Sequence, residues 1–282
     1  MPTEQDLEQK LQQLKSVIKG LTSVLVAFSG GVDSTFLLKV CLDTLGSDNV
    51  LAVTAKSATY PERELQDAVR LAGMLGARHK IIESEELDIP GFSDNPPERC
   101  YYCKKELFGK LLDIARQEGL NFVVDGSNFD DTADFRPGMR AVRELGVRSP
   151  LKESGITKDD IRALSKKMGL PTWDKPSFAC LSSRFPYGEK ITKEKLNRVA
   201  RAEEVLRNAG FSQYRVRSHR DIARIEVEPG EMSRFFDRDL REQVAQKIKQ
   251  AGFSYVTLDL LGYRTGSMNE VLKEGEKAAW IN

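Results

Sequence analysis

The chain of 282 residues contains no apolar run long enough to cross a bilayer, so a membrane span is excluded as an expectation. Its first residues are polar and acidic rather than basic and then apolar, unlike a secretory leader, and a cytoplasmic location is expected. Cysteine is scarce, at four, and without a leader it points to a reducing compartment where thiols bind metal or react rather than pair. Only two histidines and one C-x-x-C are present, too few ligands for an evident closed zinc site. Neither G-x-x-x-x-G-K nor G-x-G-x-x-G occurs, which removes the lysine-bearing phosphate loop and the dinucleotide fingerprint. The formal net charge is +1, which argues against a dedicated nucleic-acid binder. Internal repeats and low-complexity segments are also missing.

What is present centres on Val24-Leu-Val-Ala-Phe-Ser-Gly-Gly-Val-Asp-Ser34. Val24–Phe28 is an apolar, strand-length run, Ser29-Gly30-Gly31 is a turn, and an apolar-periodic segment follows from Thr35 to Leu45. A buried strand, a glycine turn and a helix start together make an anion site, because backbone N–H groups converge where no Cβ intervenes. Ser29 and Ser34 add hydroxyls, Val32 lies between them, and Asp33 suits a metal or an orienting role. The same strand–helix alternation recurs. Leu7 to Leu21 has helical spacing, Val50–Ala55 reads as a strand followed by the Lys56-Ser57-Ala58-Thr59 loop, and Pro61 opens a helix. Arg78–Glu83 is a strand in which His79 reads as structural, and Asn121–Asp125 is a strand leading into Gly126-Ser127-Asn128-Phe129-Asp130-Asp131. A helix from Thr157 to Met168 completes the series. This is an α/β pattern: a parallel, doubly wound sheet with its ligand at the carboxyl edge. An irregular stretch, 171–188, ends it. The expected domains are residues 1–188 and a smaller α+β domain, 189–282. The latter should hold a helix from Thr192 to Asn208, strands at 213–218 and 222–228, a helix from Glu231 to Gln250 and a strand at 255–260.

Cys41 falls in an apolar helix and reads as a buried structural thiol. Cys100 and Cys103 form the C-x-x-C at a loop-to-helix boundary, a spacing compatible with redox, zinc or iron–sulfur use. Cys180, in a separate irregular loop, is a third thiolate. Three thiolates can hold a four-iron cluster with one iron left open, and three unrelated thiols are the plain alternative. Arg215 and Arg217 alternate along one strand and share a face, opposite Tyr214 and Val216. On the residues alone that face is either a phosphate grip or a solvated polar surface. Arg224, Glu226 and Glu228 share a face of the next strand.

Taken together, S-G-G-V-D-S, E-R-C-Y-Y-C-K, D-G-S-N-F-D-D, R-P-G and A-C-L-S-S-R-F-P-Y-G resemble the LarE family of ATP-dependent sulfur transferases. The likeness continues through Y-R-V-R-S-H, A-R-I-E and L-D-L-L-G-Y-R-T-G-S-M-N, and so covers nearly the whole chain. The resemblance implies an adenine nucleotide alpha hydrolase-like fold. It also implies adenylation of a carboxylate of a pyridinium mononucleotide, with ATP held by Ser29, Gly30, Gly31, Val32, Asp33, Ser34, Lys56, Ser57, Asp125, Ser127 and Asp130. Sulfur then replaces AMP, in assembly of a nickel-pincer cofactor. Asp33 or the Asp125–Asp131 loop would hold Mg2+, and Cys180 would be the catalytic thiol. The family has a branch that sacrifices that cysteine's sulfur and a branch with three cysteines and a 4Fe-4S cluster. Cys100, Cys103 and Cys180 match the second. Arg215 and Arg217 match substrate-phosphate arginines, Glu226 and Glu203 become metal candidates, and Ser183 and Arg184 are substrate contacts by proximity. A homo-oligomer is implied. The rivals are a tRNA thiolation enzyme, to which the ten basic and four acidic residues of 190–224 are suited, an ammonia-using adenylating ligase, and a non-enzymatic ATP sensor or cluster carrier.

Overall fold

The computed structural model describes residues 3–132, 137–177 and 179–273; Arg136 of the R-P-G motif lies outside them. The chain forms two compact units. The first holds the described residues of 1–85 and 98–177, and the second holds Glu86–Pro97 with the described residues after Ser177. The break therefore falls earlier than Gly188, and the proline-rich 86–97 segment leaves the first unit for the second. Backbone pairing explains it. Gly188 N–H donates to Asn95 O (2.9 Å) and Ile191 N–H to Ser93 O (2.8 Å), while the Asn95 amide donates to the carbonyl oxygens of Phe185 and Pro186.

In the first unit, β1 (Val24–Ala27), β2 (Val50–Lys56), β3 (Arg78–Glu83) and β4 (Phe122–Val124) form a parallel sheet in the order β3-β2-β1-β4. Alternation along β1 sends Val24 and Val26 into one core and Leu25 into another. The first core is shared with α1 (Glu4–Leu21), α2 (Val32–Leu45), α3 (Glu62–Met74), α6 (Pro150–Glu153) and α7 (Lys158–Lys167). The second is filled from α4 (Arg99–Gln117) and α5 (Gly138–Glu144). Helices on both faces explain the near-continuous apolar character of β1 and β2. The chain leaves β1 for β2 on one side and later adds β4 on the other. The carboxyl ends of β1 and β4 thus form the switch point where such sheets bind ligands. Burial pushes the Cys41 thiol up, as suits a core residue, and His79 shares a 2.8 Å hydrogen bond with Thr54 beneath Phe28.

Helix α7 starts with a capping box: Asp160 N–H donates to Thr157 Oγ1 and Thr157 N–H to Asp160 Oδ2. Lys10 of α1 reaches the same carboxylate at 2.5 Å. Burial raises the Asp160 carboxyl, but Lys10 and the Thr157 donors outweigh it and hold it below its ordinary range. A carboxylate depressed in the folded state stabilises above its unfolded pKa, about 3.9, and loses that contribution as pH falls through the folded value. Asp160→Ala should therefore cost about 1–3 kcal/mol at pH 7. In urea melts repeated below pH about 3.9 the difference from the parent chain should be smaller than at pH 7.

The second unit carries α8 (Lys193–Asn208), β5 (Tyr214–His219), β6 (Ile222–Val227), α9 (Arg238–Gln250) and β7 (Tyr255–Leu258). Its sheet runs β5-β6-β7, antiparallel and then parallel. Two expectations change here. The single helix 231–250 is instead a 3₁₀ stretch, Pro229–Phe236, and then α9, because Asp237 adopts extended backbone and caps Leu240 N–H. The face bearing Arg215 and Arg217 is buried, not solvated: Tyr214 through Ser218 are all buried. No helix among the described residues is long and apolar enough to cross a membrane.

Candidate functional site

The first unit's site is the Ser29–Ser34 loop. Gly31 caps α2 without a side-chain bond, leaving first-turn N–H groups directed at the loop mouth. The Ser29 and Ser34 hydroxyls lie 3.1 Å apart, Ser29 N–H donates to Ser34 Oγ, and Ser34 Oγ donates to Gly31 O. Gly30 is in the left-handed region at φ +62°, and a Cβ there would stand 3.0 Å from Ala68 Cα. The loop after β4 closes in equally tightly, since a Cβ on Gly126 would stand 3.1 Å from Ser34 N. Neither close approach leaves a mark in the sequence beyond the glycine itself.

Asp33 is not a spare carboxylate. Its Oδ2 accepts from Lys158 Nζ at 2.6 Å and its Oδ1 from Asn128 Nδ2 at 3.4 Å. Asp125 is buried and accepts from the hydroxyls of Ser127 and Ser149 at 2.6 and 2.7 Å, so these three form a closed cluster behind the loop. Asp130 accepts Lys158 N–H at 2.8 Å. Lys56 is exposed and lies 4.0 Å from Glu83, and Ser57 hydroxyl meets Thr59 at 3.1 Å. Tyr60, next in that loop, donates its phenol to Ser29 O at 2.7 Å. Burial, with Glu64 and Asp67 nearby, pushes that phenol up, which keeps the donor proton in place. Lys175 adds a further cation: its Nζ donates to Gly30 O and pairs with Glu64 and Asp67. Lys158, Lys175 and Tyr60 escaped sequence reasoning because each acts on a loop distant in sequence. The E-R-C-Y-Y-C-K motif places Cys100, exposed, and Cys103, half-buried, one turn apart at the start of α4. Lys104 there lies 3.7 Å from Asp125.

In the second unit Cys180 is exposed and opens a 3₁₀ turn, Leu181–Arg184. Arg184 was expected at a substrate; instead it is fully buried. Its Nε and Nη2 donate to Glu203 at 2.7 and 3.1 Å, and its Nη1 donates to Ala179 O, Cys180 O and Ser183 Oγ. Glu203 accepts Val216 N–H as well. Arg217 forks onto Glu226 at 3.0 and 2.9 Å, and Arg224 adds a third bond. Glu203 and Glu226 are therefore held by guanidinium groups, which removes the reason to read them as metal ligands. Among the described residues no three His, Cys, Asp or Glu side chains gather around one point. Arg184, Arg215, Arg217 and Arg224 share Glu203, Glu226 and Asp259, a surplus of cation. Burial and the neighbouring Arg184 push Arg215 down to about 10, so it remains charged at neutral pH. An open cleft lies here, lined by Ser183, Tyr187, Arg217, His219, Arg224 and Ser267 among others.

A parallel sheet with a glycine-serine loop at the end of its central strand defines an adenine nucleotide alpha hydrolase-like protein of the PP-loop class. A family model described as NAD synthase matches residues 4–92, which span β1, the loop and β2. Beyond that segment, the chain is 41% identical over 274 residues to the pyridinium-3,5-bisthiocarboxylic acid mononucleotide synthase of Lactiplantibacillus plantarum, covering 97% of this chain and 99% of that protein. The chain belongs to that LarE family of ATP-dependent sulfur transferases. It is also 47% identical, over 94% of its length and 99% of the other's, to the uncharacterized protein slr1717 of Synechocystis. The tRNA-specific 2-thiouridylase MnmA of Rickettsia africae is 28% identical over 55% of this chain and 52% of that protein.

Proposed function

We propose that the protein adenylates a carboxylate of pyridinium-3,5-biscarboxylic acid mononucleotide and replaces the AMP with sulfur, in nickel-pincer cofactor assembly. The near-full-length identity to a synthase of the bisthiocarboxylic product carries this reading. The MnmA likeness stops at about half of either chain, which disfavours tRNA. In the first step a carboxylate oxygen attacks the α-phosphorus of ATP and pyrophosphate departs. The Ser29–Ser34 loop, with the α2 N-terminus and the two hydroxyls, receives that charge without rearranging. Asp33, whose Oδ1 takes only a 3.4 Å bond from Asn128 while Lys158 holds its Oδ2, and Asp130 are the carboxylates that would hold Mg2+. They fit because a Mg2+ shared with ATP takes few protein ligands and many phosphate oxygens. That ion would neutralise phosphate charge. Lys56 and Ser57 belong to the nucleotide's side of the sheet edge, while Asp125 and Ser127 brace the loop after β4. In the second unit the Arg215 and Arg217 strand, rich in cation, takes the substrate phosphate, and Ser183 assists.

A transferable sulfide-level sulfur delivered at the Cys180 turn then adds to the activated carbonyl carbon, the bond from that carbon to the AMP oxygen breaks, and AMP leaves the thiocarboxylate behind. Cys100, Cys103 and Cys180 are thiolates of the kind that would hold a 4Fe-4S cluster, which would supply a site for the transferred sulfide. Fit in kind is supported by the accessible Cys100/Cys103 turn. We read the protein as cytoplasmic and homo-oligomeric, as its family implies. The test is anaerobic incubation with Mg-ATP and the biscarboxylic mononucleotide. Pyrophosphate, AMP and a thiocarboxylate should appear together, and Cys180→Ser should stop the thiocarboxylate. Reconstitution should give iron and sulfide bound to protein, lost in Cys100→Ser. Loss of hydrogen sulfide from Cys180 after one turnover, with no iron bound, would overturn the cluster.

A further inference from the structure

The second unit contains a buried ion pair that the proposed chemistry does not use. Arg184 is the largest fully buried side chain among the described residues, and Glu203 on α8 is buried beside it. Charges this deep are rarely kept for stability alone, since apolar residues of similar volume do as well or better. Their contacts indicate what the pair holds. One Arg184 nitrogen, Nη1, donates to Ala179 O at 3.0 Å, to Cys180 O at 3.3 Å and to Ser183 Oγ at 2.7 Å. The other two grip Glu203, whose Oε1 also accepts Val216 N–H at 3.0 Å. Val216 sits between Arg215 and Arg217 on β5. A second tie runs in parallel, from Arg217 Nη1 to Ser183 O at 2.7 Å. Burial raises the Glu203 carboxyl, but Arg184 and then Arg215 outweigh it and keep it ionised below its ordinary range.

We propose that Arg184 and Glu203 are positioning residues that set the Cys180 turn at a fixed place against the Arg215/Arg217 strand. This rests on the reading that Cys180 brings the sulfur and that those arginines hold the substrate phosphate. A nucleophile displaced by about 1 Å loses on the order of 100-fold in rate. The adenylate, already formed, would then be lost to water. The pair thus governs how many adenylation events end in a thiocarboxylate, through the backbone of the turn and not by touching substrate.

Two variants test this in the full-length protein. Glu203→Gln keeps the shape and removes the charge; Arg184→Lys keeps the charge and removes the fork. For each, thiocarboxylate formed per pyrophosphate released is measured with Mg-ATP and the biscarboxylic mononucleotide, alongside the thermal midpoint. Hydrogen exchange is followed in the peptide containing Cys180–Arg184. The expected result is at least a tenfold fall in product per pyrophosphate. At least tenfold faster exchange should appear at Ser183 N–H, which donates to Cys180 O at 3.0 Å. General loosening would lower both products together and leave their ratio unchanged. An unchanged ratio in a folded variant overturns the inference, and should Glu203→Gln not fold, Arg184→Lys decides. A parent chain that releases pyrophosphate but forms no thiocarboxylate brings down the sulfur-transfer reading itself, and the inference with it.

Discussion

Replacing Gly30 with valine is expected to abolish substrate-dependent pyrophosphate release while leaving most of the fold intact. Two separate costs meet at this position. The backbone sits at φ +62°, where a β-branched residue is strained by about 1–2 kcal/mol or more. The new Cβ would also lie 3.0 Å from Ala68 Cα and 3.2 Å from Ala68 N. Those are backbone atoms of α3, which is packed into the core through Ala68 and Leu71, so they yield little. The loop must move instead. It is held by the Ser29–Ser34 hydroxyl pair, the Tyr60 phenol on Ser29 O and Lys175 on Gly30 O, and a shift breaks these bonds together. Donors preorganised for a leaving pyrophosphate contribute about 10²–10³ in rate for each one misplaced. We therefore expect at least a hundredfold fall in pyrophosphate release, with Gly30→Ala intermediate. Gly46→Ala makes the control, since it has positive φ but open space around it. Equal activity losses at Gly30 and Gly46 would refute the steric account.

The sheet and this loop were legible from sequence because their signals are local. A β-rich apolar run, paired glycines and a helical apolar period each lie within a dozen residues, and order along the chain then gives parallel topology. What sequence hid is contact made at a distance. Lys158 is only the first residue of a capped helix until folding brings it 2.6 Å from Asp33. Lys175 lies in a stretch with no period and still reaches Gly30. The second unit misled in a different way. Charged residues are seldom fully buried, so an alternation of arginine with apolar residues reads as one wet face and one dry face. Here both faces of β5 are dry because Glu226 on β6 pairs with Arg217 and the charge of Glu203 on α8 offsets Arg215. Burial of Arg184 likewise turned a presumed substrate contact into a brace. The break at Asp237 was missed because apolar spacing continues across it, and only the cap marks the restart.

Removing the carboxylate of Glu226 should strongly destabilise the second unit. Its Oε1 accepts from Arg217 Nε and Arg224 Nη2, and its Oε2 from Arg217 Nη2, while the side chain is wholly buried. Glu226→Ala strands the buried Arg217 guanidinium, a situation that costs about 3–5 kcal/mol. For a unit of this size each kcal/mol lowers Tm by roughly 4 °C. Arg224 suffers less, because Asp259 still accepts from it at 2.8 Å. The double change Arg217→Met with Glu226→Leu should recover most of the lost stability, since a buried pair replaced by apolar residues of similar volume is near neutral. Function should not recover with it. If Arg217 contributes charge for a substrate phosphate, the double variant regains its Tm yet needs a far higher concentration of the biscarboxylic mononucleotide for pyrophosphate release. A double variant restored in both Tm and substrate requirement would show that Arg217 serves only the fold. That outcome would leave Arg215 alone to hold the phosphate.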